Sequence, residues 1–206
     1  MISGYWFMPG EETEWTPPDD LDAFMKKARA DGKPLVYIGF GSIIVPHPAE
    51  TTRAVIRAVE RADVRAIVAK GWSGRGNEVD KDGLPIEVPF PESCHSLEKV
   101  PHDWLFNRID AAVHHGGAGT TGASLRAGLP TIIKPFCASP PDCRATSRRG
   151  AKKAAPPFHA VGDQFFWALR MGKLGVRFAP LSWLWRSSAD QDAFAFAYSV
   201  ASASAA

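Results

Sequence analysis

The sequence predicts an α/β fold, a parallel sheet with helices on both faces. Three observations lead there. Short apolar runs recur along the chain, with the length and unbroken character of parallel strands buried on both faces. Segments with apolar residues at i, i+3, i+4 spacing separate them. Strand ends coincide with glycine-bearing turns, as at strand-to-helix junctions of open α/β sheets.

The elements follow in order. Residues 1–34 are rich in proline, acids and aromatics and read as a linker with one leading helix. There Leu21, Phe24, Met25 and Ala28 keep helical spacing, with Asp20 as the expected cap and Gly32 as the stop. The first strand is Leu35 to Phe40, ending in Gly41-Ser42. A helix is expected from about Ala49 to Arg61, where Thr52, Val55, Ile56 and Val59 share a face. Val64 to Ala69 forms the second strand and closes on Lys70-Gly71-Trp72. Residues 73–85 form a polar loop, and Ile86 to Val88 reads as a short third strand. His102 to Phe106 makes a helical turn after Pro101, and Ala111 to Val113 a strand. The next helix runs from about Thr120 to Ala127, halted by Gly128 with Pro130 beyond, before a strand at Thr131 to Lys134.

The character then changes. Residues 137–161 hold five basic residues, one acid and four prolines without periodicity, and read as a disordered insert. Helical spacing resumes over 163–171, and residues 177–206 read as an atypical, low-complexity tail. The expected core domain is therefore 35–176. Lys plus Arg number 24 against 22 Asp plus Glu. Without the insert the balance is 19 basic to 21 acidic, so the basicity is local. Such a balance argues against a nucleic-acid binder that works through phosphate contacts. Three cysteines without a CxxC pair exclude a disulfide framework and fit a reducing, cytoplasmic compartment. The first residues lack a secretory signal pattern, and no run approaches the roughly 20 apolar residues of a membrane span, which leaves at most peripheral membrane contact.

The strongest motif is VHHGGAGTT, residues 113–121. A strand enters a glycine-rich turn and leaves as a helix. Glycines allow close backbone approach, and the amides from Ala118 onward fall at a helix N-terminus that favours a phosphate. Thr120 and Thr121 add hydroxyl donors. Gly117, Gly119 and Gly122 also satisfy a GxGxxG pattern, which raises a dinucleotide-binding oxidoreductase as an alternative. The ribose-holding acid is missing, because the next strand ends in Lys134-Pro135. Gly41-Ser42, Gly71-Trp72, Pro101-His102 and His115-Gly116 all fall where a ligand gathers in an open sheet. Trp72 serves either as a stacking platform or as a rim aromatic. The adjacent His114 and His115 point to opposite sides of a strand, which argues against a metal site.

VYIGFGS (36–42), KGW (70–72), VPHDWLF (100–106), VHHGGAGTTGASLRAGLPTIIKPF (113–136) and GDQFFWA (162–168) together resemble the C-terminal half of sterol 3-beta-glucosyltransferases, with GYWF (4–7) and PPDDL (17–21) before them. The resemblance implies a Rossmann-like donor half of the two-domain GT-B fold. It also implies inverting transfer of glucose from UDP-glucose to a sterol 3-hydroxyl or other lipid acceptor, without metal or cofactor. By resemblance, Gly41 and Ser42 lie near the diphosphate, with Trp72 near the nucleotide. Val100 holds the uracil through its backbone, and His102 lies near the ribose. His115 and the amides of Gly117, Ala118, Gly119 and Thr120 bind the diphosphate. Asp163 and Gln164 bind the glucose hydroxyls. The acceptor pocket and the general base belong to the N-terminal half, so this chain is expected to carry the donor half alone. The remaining alternative is a non-catalytic nucleotide-sugar-binding module or a degenerate fragment. Where the family runs from PF through one aromatic to GDQ, this chain carries residues 137–161. An in-frame retained intron, cut within the codons of Cys137 and Val161, accounts for them and restores PFFGDQ.

Overall fold

The computed structural model describes residues 15–41, 48–72 and 86–134, with Gln164, Phe166, Trp167 and Arg170. The insert at 137–161, the tail from 177, Ser42 and Asp163 lie outside the described residues.

The described elements are α1 (Asp19–Ala30), β1 (Leu35–Gly39), α2 (Pro48–Ala62), β2 (Arg65–Ala69), β3 (Cys94–Leu97), α3 (His102–Leu105), β4 (Ala111–His114), α4 (Ala118–Arg126) and β5 (Thr131–Ile133). Short 3-10 turns at Lys70–Trp72 and Phe106–Arg108 follow β2 and α3. The five strands form one parallel sheet in the order β3-β2-β1-β4-β5.

All five residues of β1 are buried, as its central place requires. Val36, Ile38 and Phe40 join Val59, Val64 and Val113 on one face. Leu35 and Tyr37 join Leu21, Ala28, Leu105 and Phe106 on the other. The alternation places α2 on the first face and α1, α3 and α4 on the second. Burying each large apolar side chain contributes about 1.5–3 kcal/mol before chain entropy is counted.

Three local expectations are corrected. Asp20 does not cap α1; Pro18 is the N-cap residue, and the Asp20 carboxylate accepts the Leu21 N–H at 2.9 Å from inside the first turn. Ile86–Val88 is not a strand. Pro85 and Pro89 flank it, and the edge of β2 is taken by Cys94–Leu97, whose Cys94 alone is fully buried. α4 begins at Ala118, earlier than Thr120, because Gly117 takes the extended conformation of an N-cap. The stops hold: Gly32 and Gly128 both adopt the left-handed conformation that ends a helix. Among the described residues, no helix is long and apolar enough to cross a membrane.

Candidate functional site

Parallel strands bring all their carboxyl ends to one rim. Close backbone approach shapes it. Gly41, at φ +64°, stands so near His115 that a Cβ there would lie 2.8 Å from its Cε1. A Cβ on Gly71 would lie 2.6 Å from the Gly41 carbonyl oxygen, and one on Gly117 would strike the His115 ring at Nε2. Gly116, at φ +89°, faces Ile133 Cγ2 and the Gln164 backbone, at 2.7 Å and 3.1 Å from its would-be Cβ. The ends of β1, β2, β4 and β5 and the segment holding Gln164 thus meet around His115, which is half-buried.

The same rim holds the start of α4. Its first intrahelical bond runs from the Thr121 N–H to the Gly117 carbonyl at 2.9 Å. The amides of Ala118, Gly119 and Thr120 precede that bond and face outward from the helix end, and the first turn carries no acid. Gly119 is exposed, with open space where a Cβ would sit. One expected donor is already used: the Thr121 hydroxyl is turned inward and donates to the Gly117 carbonyl at 2.9 Å.

His102 begins α3 and joins this rim from the side. Its Nε2 shares a 3.2 Å hydrogen bond with the Tyr37 hydroxyl, and its ring stacks on Phe106 at 4.6 Å between centroids. Burial holds its pKa below the ordinary imidazole value against the opposing pull of Asp103, with a smaller downward push from His115. Tyr37 folds over Gly39, which has no side chain to obstruct it, and burial pushes its phenol up to about 12. Val100 is buried in the face that holds Tyr37. Trp72 closes the 3-10 turn after β2. Gln164 is only 3% exposed.

His114 plays a different part from its neighbour. It is fully buried, and its ring centroid is 6.4 Å from that of His115. Its Nδ1 accepts the Gly116 N–H at 3.1 Å, which places the ring proton on Nε2 beside Ser124 Oγ at 3.4 Å. The Ser124 hydroxyl in turn donates to the Thr121 carbonyl at 3.0 Å. His114 therefore ties the glycine turn to α4, and burial pushes its pKa down to about 3.

The structure thus gathers Gly41, Gly117, Ala118, Gly119, Thr120, His115 and Gln164 at one rim, with His102 beside them. Sequence reasoning missed Tyr37 and Lys134 as parts of it. Tyr37 carries no local signal, since its partner is 65 residues away. Lys134 does carry one, as a cation closing an otherwise apolar strand.

A parallel sheet of this order with a glycine-lined carboxyl rim defines a class, and known structures share it. The chain superposes on UGT89C1 of Arabidopsis thaliana with a TM-score of 0.57 and 20% identity, covering 89% of this chain and 38% of that one. The same Arabidopsis protein complexed with UDP gives 0.55 at 21% identity, over 93% and 39%. The kitacinnamycin glycotransferase gives 0.52 at 15% identity, over 95% and 42%. The described sheet matches part of the fold of the GT-B glycosyltransferases.

Sequence narrows this further. Sterol 3-beta-glucosyltransferases from Aspergillus terreus and Aspergillus fumigatus are 50% and 51% identical over 175 residues, 85% of this chain. The match takes in only 11% and 10% of those relatives, so the chain spans about a tenth of the length of the curated proteins it matches. No family model matches. Over that stretch the chain is similar to one segment of the sterol 3-beta-glucosyltransferases.

Proposed function

We propose that this chain forms the donor-binding part of a glucosyltransferase that moves glucose from UDP-glucose to a sterol 3-hydroxyl. One observation carries the reading: an acid-free α4 N-terminus opens beside His115 where the strand ends converge. Outward amides there suit a diphosphate. The named activity of the sequence relatives supports the sugar and the sterol, and the UDP complex of the Arabidopsis protein supports the nucleotide.

In this reading the amides of Ala118 to Thr120 and His115 hold the diphosphate, with Gly41 and Ser42 across from them. His102 lies beside the ribose, the Val100 backbone meets the uracil, and Trp72 stands near the nucleotide. Asp163 and Gln164 hold the sugar. As the sterol oxygen forms its bond to the anomeric carbon, the bond to the β-phosphate oxygen breaks. Negative charge grows on the departing UDP, where preorganised amides stabilise it. The hydroxyl proton passes to a base that we place on the acceptor-binding part of the longer relatives.

Calorimetric titration of the full chain with UDP-glucose tests this. Saturable binding that weakens at least tenfold in Gly117→Val is expected. A folded chain that gives no binding heat overturns it.

A further inference from the structure

Tyr37 lies in the middle of β1, but its hydroxyl acts nearer the carboxyl rim. A Cβ on Gly39 would strike the phenol oxygen and Cζ, so the ring reaches over Gly39, two residues further along the strand. Gly39 pairs with His114, from which the glycine turn departs. His102 arrives at this level from the start of α3, which packs against α4. Its Nε2 is 3.2 Å from the Tyr37 hydroxyl, and the two rings meet edge to face at 5.3 Å between centroids. Phe106 stacks on the imidazole at 4.6 Å. The ring is therefore held at one nitrogen and on one face. Among the described residues, Nδ1 has no hydrogen-bond partner.

We propose that Tyr37 is a positioning residue for His102: its phenol donates to Nε2, which fixes the imidazole proton on Nδ1 and keeps that N–H for an oxygen of the bound nucleotide. The inference rests on the donor-site reading above, which sets His102 beside the ribose. A neutral imidazole has one N–H and one bare nitrogen, and the bond made by one nitrogen decides the state of the other. Phenol to imidazole joins the stronger donor to the stronger acceptor, so the shared proton stays on the Tyr37 oxygen. Burial favours the same arrangement. It pushes the phenol up to about 12 and holds the His102 pKa low, which keeps the first protonated and the second neutral. The opposite tautomer would set a bare nitrogen against the lone pairs of a ligand oxygen. His114 supplies the contrast within the same fold, since its Nδ1 accepts the Gly116 N–H and its proton sits on Nε2.

Two-bond proton–nitrogen correlation spectra of the 15N-labelled full chain test the proposal, with the His102 signals assigned by their loss in His102→Asn. His102 is expected to be protonated at Nδ1 and His114 at Nε2. Tyr37→Phe should move the His102 proton toward Nε2, the form free histidine favours, and weaken UDP binding about threefold to tenfold. His102→Asn, whose amide can stand where Nδ1–H stood, should keep most of the UDP affinity and no longer respond to Tyr37→Phe. His102→Gln, whose amide reaches the place of Nε2 instead, should bind more weakly than His102→Asn. Protonation of His102 at Nε2 in the unaltered chain overturns the proposal and requires no variant to fold. A tautomer unchanged in Tyr37→Phe overturns it as well, and in either case UDP binding can persist. Protonation at Nδ1 without any UDP binding overturns the donor-site reading, and the ligand-facing part of this one with it.

Discussion

The two rims of this sheet are joined by opposite means. At the amino rim, charged side chains do the joining. Asp110 accepts the Leu35 N–H and an Arg29 N–H, both at 2.7 Å, and so locks β4 to β1 and α1. Arg65 reaches Asp31 at 3.1 Å and the Glu92 carbonyl at 3.1 Å, and Lys33 pairs with Asp63. At the carboxyl rim the junctions instead rest on close backbone approach at Gly41, Gly71, Gly116 and Gly117, and on imidazole contacts. The first rim satisfies its polar groups within the protein. At the second, the amides of Ala118, Gly119 and Thr120 precede the first intrahelical bond of α4. Stability and binding are therefore separable, and substitutions can show it.

Gly116→Val should have the largest effect. It forces a β-branched residue to φ +89° with its Cβ against Ile133 and the Gln164 backbone. Thermal unfolding should show a loss of about 3–4 kcal/mol, and UDP binding should disappear. A stable variant that still binds would break the picture of a rim held by backbone approach.

Acid should act next, through His114. Its folded pKa of about 3 lies below the unfolded value near 6.5, so the unfolded state binds more protons between the two. Its contribution is full above about 6.5 and falls by up to about 1.4 kcal/mol per pH unit below it. Unfolding midpoints from pH 7 to 5 should therefore drop, and His114→Gln should flatten that slope.

Asp110→Ala sharpens the contrast from the other rim. It strands the Leu35 N–H and frees Arg29, at about 1–2 kcal/mol of stability. UDP affinity should stay within about twofold, since a bond at the far rim adds little to ligand contact. A large loss of affinity would mean that the rims are coupled.

The smallest effect is expected for Tyr37→Phe. It removes the bond that orients His102 while keeping the ring in the core. UDP binding should weaken about threefold to tenfold with a stability change near 1 kcal/mol. Adding His102→Ala to Tyr37→Phe should cost affinity less than additively.

Much of this was legible in the chain. Unbroken apolar runs such as Leu35–Gly39 announce central strands because both faces are buried. Cys94–Leu97 did not, because an edge strand with one fully buried residue looks like a loop. The glycine turn and its histidines could be read locally, since strand, turn and helix lie within a dozen residues. That Thr121 faces inward could not, since helical rotation decides it. Neither could the contacts of Tyr37 and Lys134. Both depend on strand order, which sets Phe40 of the β1 end within reach of a lysine from β5.

That strand order also bears on how the chain is made. β1 sits at the centre, yet its partner on one side, β4, begins at residue 111. β2 and β3 emerge earlier and can pair with β1 and with each other at once. At roughly 5–20 residues per second of synthesis, the other edge of β1 waits several seconds for β4. During that interval an apolar strand offers open hydrogen-bonding groups to any neighbour. The nascent chain is thus most vulnerable to wrong pairing at its most buried strand, until Ala111–His114 arrives.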